Sequence, residues 1–500
     1  MLRLTQAFPD LTIQATADFQ EITDRMEVEK VEEIWRNWLR PQEGDTEDRL
    51  SLQHPSTDQE YTENMEVDQE EEVLQHPLAI QNSRLLALPN EILQDIAIRY
   101  FRDVDIARLG LSCKEAYARI LSVDAPVWRA RHRQMFDVTP KDPDELHSEY
   151  SARSIVLRHK LDIKKDSLID IHEWLYEMLT MLWEAMYVSL PVGAVSKTYE
   201  LVLKTVMSVD FLNRPVSPNP SDIFYSLHLC LTALALDDEI CTSCYREDYC
   251  IVIVYSVQEH IASWPFIDHQ ESCLWKLMHF RNFWQRHLMN PTEATFYGSF
   301  SQLPKELKPK VRKTDGSNPK DLSKSWLGYY SCIHPLPHGI GRFTGRQANT
   351  GRQSCADLDS HLDQVELMTL EIESRSSEHF WPATCSSIIP VAQDWGVPDS
   401  REYFKGCQNT LGGASDASNP MFGFTEPIQQ DFGGIFGWIR ICFTISERVG
   451  RGQVPAWVEG AEGWVHGYEA MLIPGGRLMI GRWVDLKDES GNGPFIFWDV

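Results

Sequence analysis

The stretch Ser83–Phe136 reads SRLLALPNEILQDIAIRYFRDVDIARLGLSCKEAYARILSVDAPVWRARHRQMF. Its Leu88-Pro89 step predicts a helix start, because a proline at that position loses no intrahelical hydrogen bond. Glu91 falls in the first turn, where a carboxylate is favourable to the helix dipole. Two more short helical patterns follow, and Trp128 closes the block. The stretch therefore predicts three short helices.

Three helices of this size hide few side chains from water. Leu88, Pro89 and the apolar residues around them would form an exposed patch large enough to need a partner. The block is therefore typical of a docking module.

The motifs of this block resemble the F-box. They are the Leu-Pro-x-Glu-Ile-Leu opening, Ile96 four residues after Ile92, the Cys113-Lys114 step and the closing tryptophan. The resemblance implies that residues 83–136 bind the Skp adaptor, which joins an F-box protein to a cullin–RING ubiquitin ligase. Carried over to this chain, it implies these adaptor contacts: Leu88, Pro89, Ile92, Leu93, Ile96, Leu109, Cys113, Lys114 and Trp128.

Residues 1–80 differ in composition from the rest of the chain. They hold six basic and twenty acidic residues, whereas the whole chain of 500 residues has 47 basic and 73 acidic residues and a net charge of −26. We predict a largely disordered acidic leader, with a short amphipathic helix over 19–39 that packs on its own protein or binds a partner. The charge argues against nucleic acid and anionic lipid as partners.

The remainder predicts an α+β multidomain chain. Residues 145–303 show helical periodicity, and residues 320–500 show short strands separated by glycine, typical of an antiparallel barrel or sandwich. A hairpin is expected around Pro474-Gly475-Gly476. Segments within 275–307, 326–330 and 467–499 also resemble a group of filamentous-fungal F-box proteins whose carboxy-terminal region has no assigned activity.

Charges on the predicted strands admit two interpretations. The side chains of Glu469, Arg477, Arg482 and Asp485 could line a pocket in the β-rich domain. On alternating strands such charges more often form a solvated face, which is the interpretation we favour.

No motif predicts an enzyme. The chain lacks a nucleophile elbow, a P-loop and a zinc-protease motif, and no cofactor is expected. Cys241, Cys244 and Cys250 are weak metal candidates, since no second matched pair follows at zinc-site spacing. Without a signal peptide or a long apolar stretch, we expect reduced thiols, no membrane span, and a cytoplasmic and/or nuclear location.

The sequence therefore predicts a non-catalytic substrate receptor of an SCF ubiquitin ligase, which recruits an unknown target protein for ubiquitination and proteasomal degradation. The β-rich region 320–500 is expected to bind the target, and the helical region 145–303 is expected to space it from the F-box. Two alternatives stay open. The β-rich domain could be an F-box-tethered ligand binder or enzyme, or the chain could bind the Skp adaptor outside any ligase.

Overall fold

A computed structural model describes part of the chain. The described residues are 86–122, 125–137, 142–159, 161, 166, 168–188, 190–191, 194–213, 220–240, 249, 253–254, 274–292, 296–310, 322–331, 367–375, 381, 385, 389, 401–410, 418–428, 433–449, 454–455, 463–487 and 491–500. The acidic leader predicted over 1–80 lies outside them. The chain divides into two compact units, namely residues up to 134 with 140–151, and 135–139 with 152–500.

Helices occupy the amino-terminal block, with one more than the three short helices that the sequence predicts over 83–136, because Trp128 lies in a helix of its own. They are α1 (Asn90–Tyr100), α2 (Asp103–Leu111), α3 (Lys114–Ala116), a π-helical turn (Tyr117–Leu121), α4 (Pro126–Met135) and α5 (Pro143–Arg158). Pro89 precedes α1 in an extended conformation, and the first turn of α2 carries two aspartates. The Cys113 Sγ accepts a hydrogen bond from the Ala116 backbone N–H at 3.4 Å and so caps α3.

The first unit has a small core of its own. Its fully buried apolar side chains are Leu93, Ala97, Ile106, Ala107, Ala116, Ile120, Val127 and Trp128. Gly110 lets α2 approach the π-helical turn, since a Cβ there would collide with the side chain of Leu121. The close approach explains a glycine inside a helix, where that residue is otherwise unfavourable.

The second unit begins with a helical layer. Its helices are α6 (Leu168–Tyr187), α7 (Lys197–Ser208), α8 (Asp222–Cys230), α9 (Thr232–Ala235), α10 (Leu274–Met289) and α11 (Tyr297–Ser301), with 3-10 turns at Phe211–Asn213 and Lys305–Leu307. Serine hydroxyls at Ser196 and Ser221 cap α7 and α8 by accepting from backbone N–H groups three residues ahead. These caps satisfy donors that a helix start leaves open.

The carboxy-terminal half forms strands. They are β1 (Ser325–Tyr330), β2 (Met368–Arg375), β3 (Glu402–Thr410), β4 (Asn419–Pro427), β5 (Ile439–Ser446), β6 (Arg448–Val449), β7 (Val454–Pro455), β8 (Val465–Leu472), β9 (Leu478–Asp485) and β10 (Asn492–Asp499). Eight of them close into an antiparallel barrel in the order β1-β10-β9-β8-β5-β4-β3-β2, while β6 and β7 form a separate ribbon. The barrel alternative is confirmed and the sandwich alternative is wrong.

The predicted hairpin is also confirmed. β8 pairs with β9 in antiparallel register, and Gly475 and Gly476 occupy the turn with φ of 93° and 69°. Positive φ is open to glycine without a steric penalty, so the Pro-Gly-Gly sequence suits this turn.

Alternating side chains fill the barrel. Its packed cluster is formed by Trp326, Met368, Leu370, Ile372, Phe404, Met421, Ile441, Phe443, Ile445, Tyr468, Ala470, Leu472, Met479, Trp483, Phe495 and Phe497. Phe443 and Tyr468 stack within it at a centroid distance of 4.6 Å. An eight-stranded barrel is narrow enough for side chains to occupy its interior, so this interior is a core.

Helices α10 and α11 cover the outer side of β1 and β10. The Phe300 ring lies 5.8 Å from the Trp498 ring in a T-shaped contact, and Trp498 Nε1 donates to the Leu307 carbonyl at 2.6 Å. From residue 152 onwards, the helical region predicted over 145–303 belongs to the same compact unit as the β-rich region predicted over 320–500. Among the residues described, none of the helices is both long and apolar enough to cross a membrane.

Candidate functional site

The residues at the start of α1 are accessible. The Pro89 side chain is exposed, the Ile92 side chain is 49% exposed, and Leu88 and Ile96 are half-buried. Ile92 and Ile96 are four residues apart and so share one side of the helix. Together, Leu88, Pro89, Ile92 and Ile96 form a solvent-accessible apolar surface, which we call the docking edge.

Arg119 holds the docking edge from the π-helical turn. Its guanidinium donates to the Leu86 carbonyl at 2.5 Å and also to the Leu88 carbonyl. In return, Gln94 Nε2 donates to the Arg119 carbonyl at 2.8 Å. The side chain of Arg119 is only 11% exposed, so these bonds form largely out of water, where they are stronger. The conformation of the segment before α1 is therefore set by a residue far along the chain.

Two of the nine sequence-predicted contacts lie in the core. Leu93 is fully buried, and Trp128 is buried with its Nε1 donating to the Leu121 carbonyl at 3.2 Å. The Trp128 ring also packs on His147 and Tyr150, at centroid distances of 4.9 and 5.5 Å. These two side chains therefore belong to the core of the first unit.

The other predicted residues sit at the surface. Cys113 and Lys114 are exposed at the start of α3, and Leu109 is half-buried on α2. The Cys113 thiol already has a local role as the cap of α3. The predicted set therefore contains both surface residues and core residues.

Sequence reasoning missed part of the exposed apolar surface. Tyr100, Leu111 and Tyr117 are 76%, 45% and 49% exposed, although periodicity places all three on faces shared with core residues. Tyr100 ends α1 and Leu111 ends α2, where the chain turns away from the core. A position at the end of a helix indicates exposure, and helical periodicity alone does not take that position into account.

An ion pair between Arg131 and Asp103 stabilises the first unit away from the docking edge. The Arg131 guanidinium donates to Asp103 Oδ1 at 2.5 Å and to the Phe101 carbonyl at 3.2 Å, while Tyr150 Oη donates to Asp103 Oδ1 at 2.8 Å. Burial alone would lower the pKa of Arg131, but the Asp103 carboxylate outweighs it and the pKa is raised. The pair joins α2 and α4.

In the second unit, the prediction of a solvated charged face is wrong for Glu469 and Arg482, because both are buried on the outer side of the barrel. Arg440 lies between two carboxylates, with its guanidinium 2.7 Å from Glu469 Oε1 and 3.2 Å from Glu426 Oε2. Arg401 donates to the other oxygen of Glu426 at 2.7 Å. Arg401, Glu426, Arg440 and Glu469 form a continuous ion-pair network, in which Arg401 is half-buried and the other three residues are buried.

Two described residues between β2 and β3, Trp381 and Ile389, pack on the outer face of the barrel. The Trp381 ring is 5.0 Å from the Phe424 ring, and the Ile389 side chain lies against Gly467. Cys442 is buried on the same outer face, and burial raises the pKa of its thiol far above the ordinary range. A thiol held protonated is a poor nucleophile. The arrangement supports packing and not nucleophilic chemistry.

One end of the barrel carries a row of aromatic rings. The His466 ring lies 4.5 Å from that of Trp464 and 4.7 Å from that of Trp483, and the Tyr330 ring is 5.4 Å from Trp483. Burial lowers the pKa of His466 to about 4, against a smaller opposing effect of Asp485. His466 is therefore neutral at pH 7. The rings of Tyr330 and Trp464 pack against the barrel core.

The metal candidates Cys241, Cys244 and Cys250 lie outside the described residues. Within the described ranges, no group of His, Cys, Asp and Glu side chains is arranged to hold a metal ion. The cysteines of the described ranges, namely Cys113, Cys230, Cys385, Cys407 and Cys442, are not disulfide-bonded.

Comparison with known proteins finds no matching family model, no matching curated protein and no matching solved structure.

Proposed function

We propose that the chain is a substrate receptor of an SCF ubiquitin ligase. Residues 83–136 act as an F-box that binds the Skp adaptor, and through it the cullin and RING subunits. The second unit captures a target protein. The protein works in the cytoplasm and/or nucleus, where its target is ubiquitinated and degraded by the proteasome.

The docking edge carries this proposal. Leu88, Pro89 and Ile92 are accessible apolar residues, and Arg119 fixes the segment that presents them. An ordered apolar surface loses little conformational entropy on binding, which favours affinity. The F-box resemblance implies that the same Leu-Pro opening contacts the adaptor.

We propose fewer adaptor contacts than the nine that the F-box resemblance implies. We assign them to Leu88, Pro89, Ile92, Ile96, Leu109, Cys113 and Lys114. Leu93 and Trp128 support these residues from the core of the unit. Both groups are needed for binding, the first by direct contact and the second by maintaining the fold of the unit.

The proposed role of the chain is non-catalytic. A receptor raises the effective concentration of a target lysine near a charged ubiquitin-conjugating enzyme, and it needs no reactive side chain of its own. The side-chain-filled barrel favours this role over a ligand-binding or enzymatic β domain, because such a domain uses a concave site.

Purified full-length chain and purified Skp adaptor test the proposal directly. The wild type should bind the adaptor, and Leu88→Ala with Pro89→Ala should abolish binding while the circular dichroism spectrum is unchanged. Val195→Ala with Met207→Ala is the matched control, since both residues are exposed and lie in the second unit. Adaptor binding that survives the first pair contradicts the proposal.

Co-purification from cells separates the ligase from its alternative. Recovery of cullin and RING subunits with the adaptor supports a ligase subunit. Recovery of the adaptor alone supports an adaptor-binding protein outside the ligase.

A further inference from the structure

The π-helical turn Tyr117–Leu121 is wider than the α-helix that leads into it. The Ser122 N–H donates to the Tyr117 carbonyl, five residues back, at 3.0 Å, whereas the Tyr117 N–H donates to the Cys113 carbonyl, four residues back, at 3.0 Å. A π turn within a helix is rare and is frequently found at a functional site. The wider turn holds one residue more than an α-helix needs, so that residue requires an explanation.

Core packing does not explain the extra residue. The side chains of Ala116, Ile120 and Leu121 are buried, whereas that of Ala118 is exposed. Without Ala118, Ile120 and Leu121 would follow Ala116 by three and four positions, and residues at that spacing share one side of an α-helix. An α-helix that is one residue shorter would therefore bury the same three side chains.

The direction of Arg119 does depend on the extra residue. Arg119 comes three positions after Ala116, next to the buried side, and its guanidinium reaches the carbonyls of Leu86 and Leu88. Without Ala118 it would come two positions after Ala116, which is about 200° around an α-helix, and it would face away from the core. Its bonds to the segment before α1 would then be lost. The extra residue therefore turns Arg119 towards the docking edge.

The end of the turn provides a second contact with α1. The helix ends at Ser122, whose backbone is extended, so the carbonyls just before it lack helical partners. One of them, the Arg119 carbonyl, accepts a hydrogen bond from Gln94 Nε2 at 2.8 Å. Gln94 lies on α1, between Ile92 and Ile96 in sequence. Arg119 therefore holds the start of α1 through both its side chain and its backbone.

We propose that Ala118, as the extra residue of the π-helical turn, keeps the docking edge in its observed conformation by aiming Arg119 at the carbonyls of Leu86 and Leu88. The effect on the Skp adaptor rests on the proposed function, but the effect on the conformation of the docking edge does not. The turn is thus a positioning element for the docking edge and is dispensable for the core of the first unit.

Thiol labelling without the adaptor tests this inference. In the full-length chain carrying Leu88→Cys, the labelling rate of residue 88 reports how often the segment before α1 opens, because the side chain at this position is half-buried. Mass spectrometry of the peptide that contains residue 88 distinguishes this thiol from the natural cysteines. Deletion of Ala118 should raise the rate about tenfold, as expected for the loss of a charge-assisted hydrogen bond. Ala118→Ser, which keeps the residue count, should label at the rate of the Leu88→Cys parent.

Two further variants show whether the deletion acts through Arg119. Arg119→Ala should raise the labelling rate as much as the deletion does, and the two changes together should raise it no further, because both remove the same contacts. Gln94→Ala should raise the rate less, about fivefold, because its hydrogen bond to the Arg119 carbonyl involves no charged group.

Stability and adaptor binding are measured separately, in the chain with Leu88 restored. The urea midpoint of the deletion variant should equal or exceed that of the wild type, since the same apolar side chains stay buried. Its Kd for the purified adaptor should rise about tenfold at full stoichiometry.

A deletion variant that unfolds, or one that folds and labels at the parent rate, would overturn the inference. Additive effects of the deletion and Arg119→Ala would also overturn it, because the turn would then act by a route other than Arg119. Faster labelling of the deletion variant, together with no adaptor binding by the wild type, would support the inference and contradict the proposed function.

Discussion

The guanidinium of Arg119 donates to the backbone carbonyl of Leu88, although 31 residues separate them along the chain. This contact joins the end of the predicted three-helix block to the Leu-Pro step that begins it. A docking surface that is fixed before its partner arrives avoids an ordering cost during binding. Arg119 is therefore a positioning residue for the proposed adaptor contact.

Arg119→Ala should weaken adaptor binding about tenfold, because a charge-assisted hydrogen bond contributes roughly 1.5–3 kcal/mol. The affinity of Arg119→Lys for the adaptor should lie between those of the wild type and Arg119→Ala, since an ammonium group cannot form the bidentate contact of a guanidinium. Calorimetric titration distinguishes positioning from unfolding: positioning raises Kd at full stoichiometry, whereas partial unfolding lowers the stoichiometry. Arg108→Ala, at an exposed position on α2, is the control and should bind normally.

Gly110→Ala should destabilise the first unit by about 1–3 kcal/mol, because the added methyl group collides with Leu121 in a packed core. Gly298→Ala is a matched control, since this helical glycine of α11 has open space at the Cβ position. The control should be neutral or slightly stabilising. Urea denaturation of both variants tests the pair, and equal midpoints would contradict the packing argument.

Glu469→Gln should destabilise the second unit by roughly 3–5 kcal/mol, because it removes one partner of a buried ion pair and leaves Arg440 under-compensated. Glu373→Gln is the control. Its partner Lys405 is 3.9 Å away and both side chains are more than half exposed, so the expected loss is below about 1 kcal/mol. Thermal denaturation measures both, and a small loss at Glu469 would mean that water reaches the network.

Stability should fall as the pH drops from about 6.5 towards 4. His466 has a pKa of about 4 when folded and an ordinary value near 6.5 when unfolded, so the unfolded chain binds more protons in this window. The contribution of His466 to the free energy of unfolding is fully present above pH 6.5 and is on the order of 3 kcal/mol. His466→Phe should flatten the pH dependence, whereas His172→Gln on the exposed side of α6 should retain it.

The local structure was largely predictable from sequence. Helical periodicity and the Leu-Pro step locate the amino-terminal helices, and alternation with Gly-containing turns locates the strands. These signals are local, so they need no knowledge of the fold. The β8–β9 hairpin is the clearest case, because its turn residues and both strands are adjacent in sequence.

The burial of particular side chains was not predictable. Alternation places the side chains of Glu469 and Arg482 on the outer face of the barrel, but it does not show that this face is buried there. Likewise, periodicity groups Leu93 with Ile92, although only Leu93 is enclosed. The burial of these side chains depends on contacts between residues far apart in sequence. No local sequence pattern indicates such contacts.

Closure of the barrel joins its first and last strands, with Trp326 opposite Asp499. During synthesis, β1 leaves the ribosome long before its partner β10 has been translated. The nascent chain thus exposes an unpaired strand edge until β10 has been translated, and such edges invite aggregation. The barrel must therefore fold late and slowly, and a chain that terminates before β10 should become a client of chaperones or proteases.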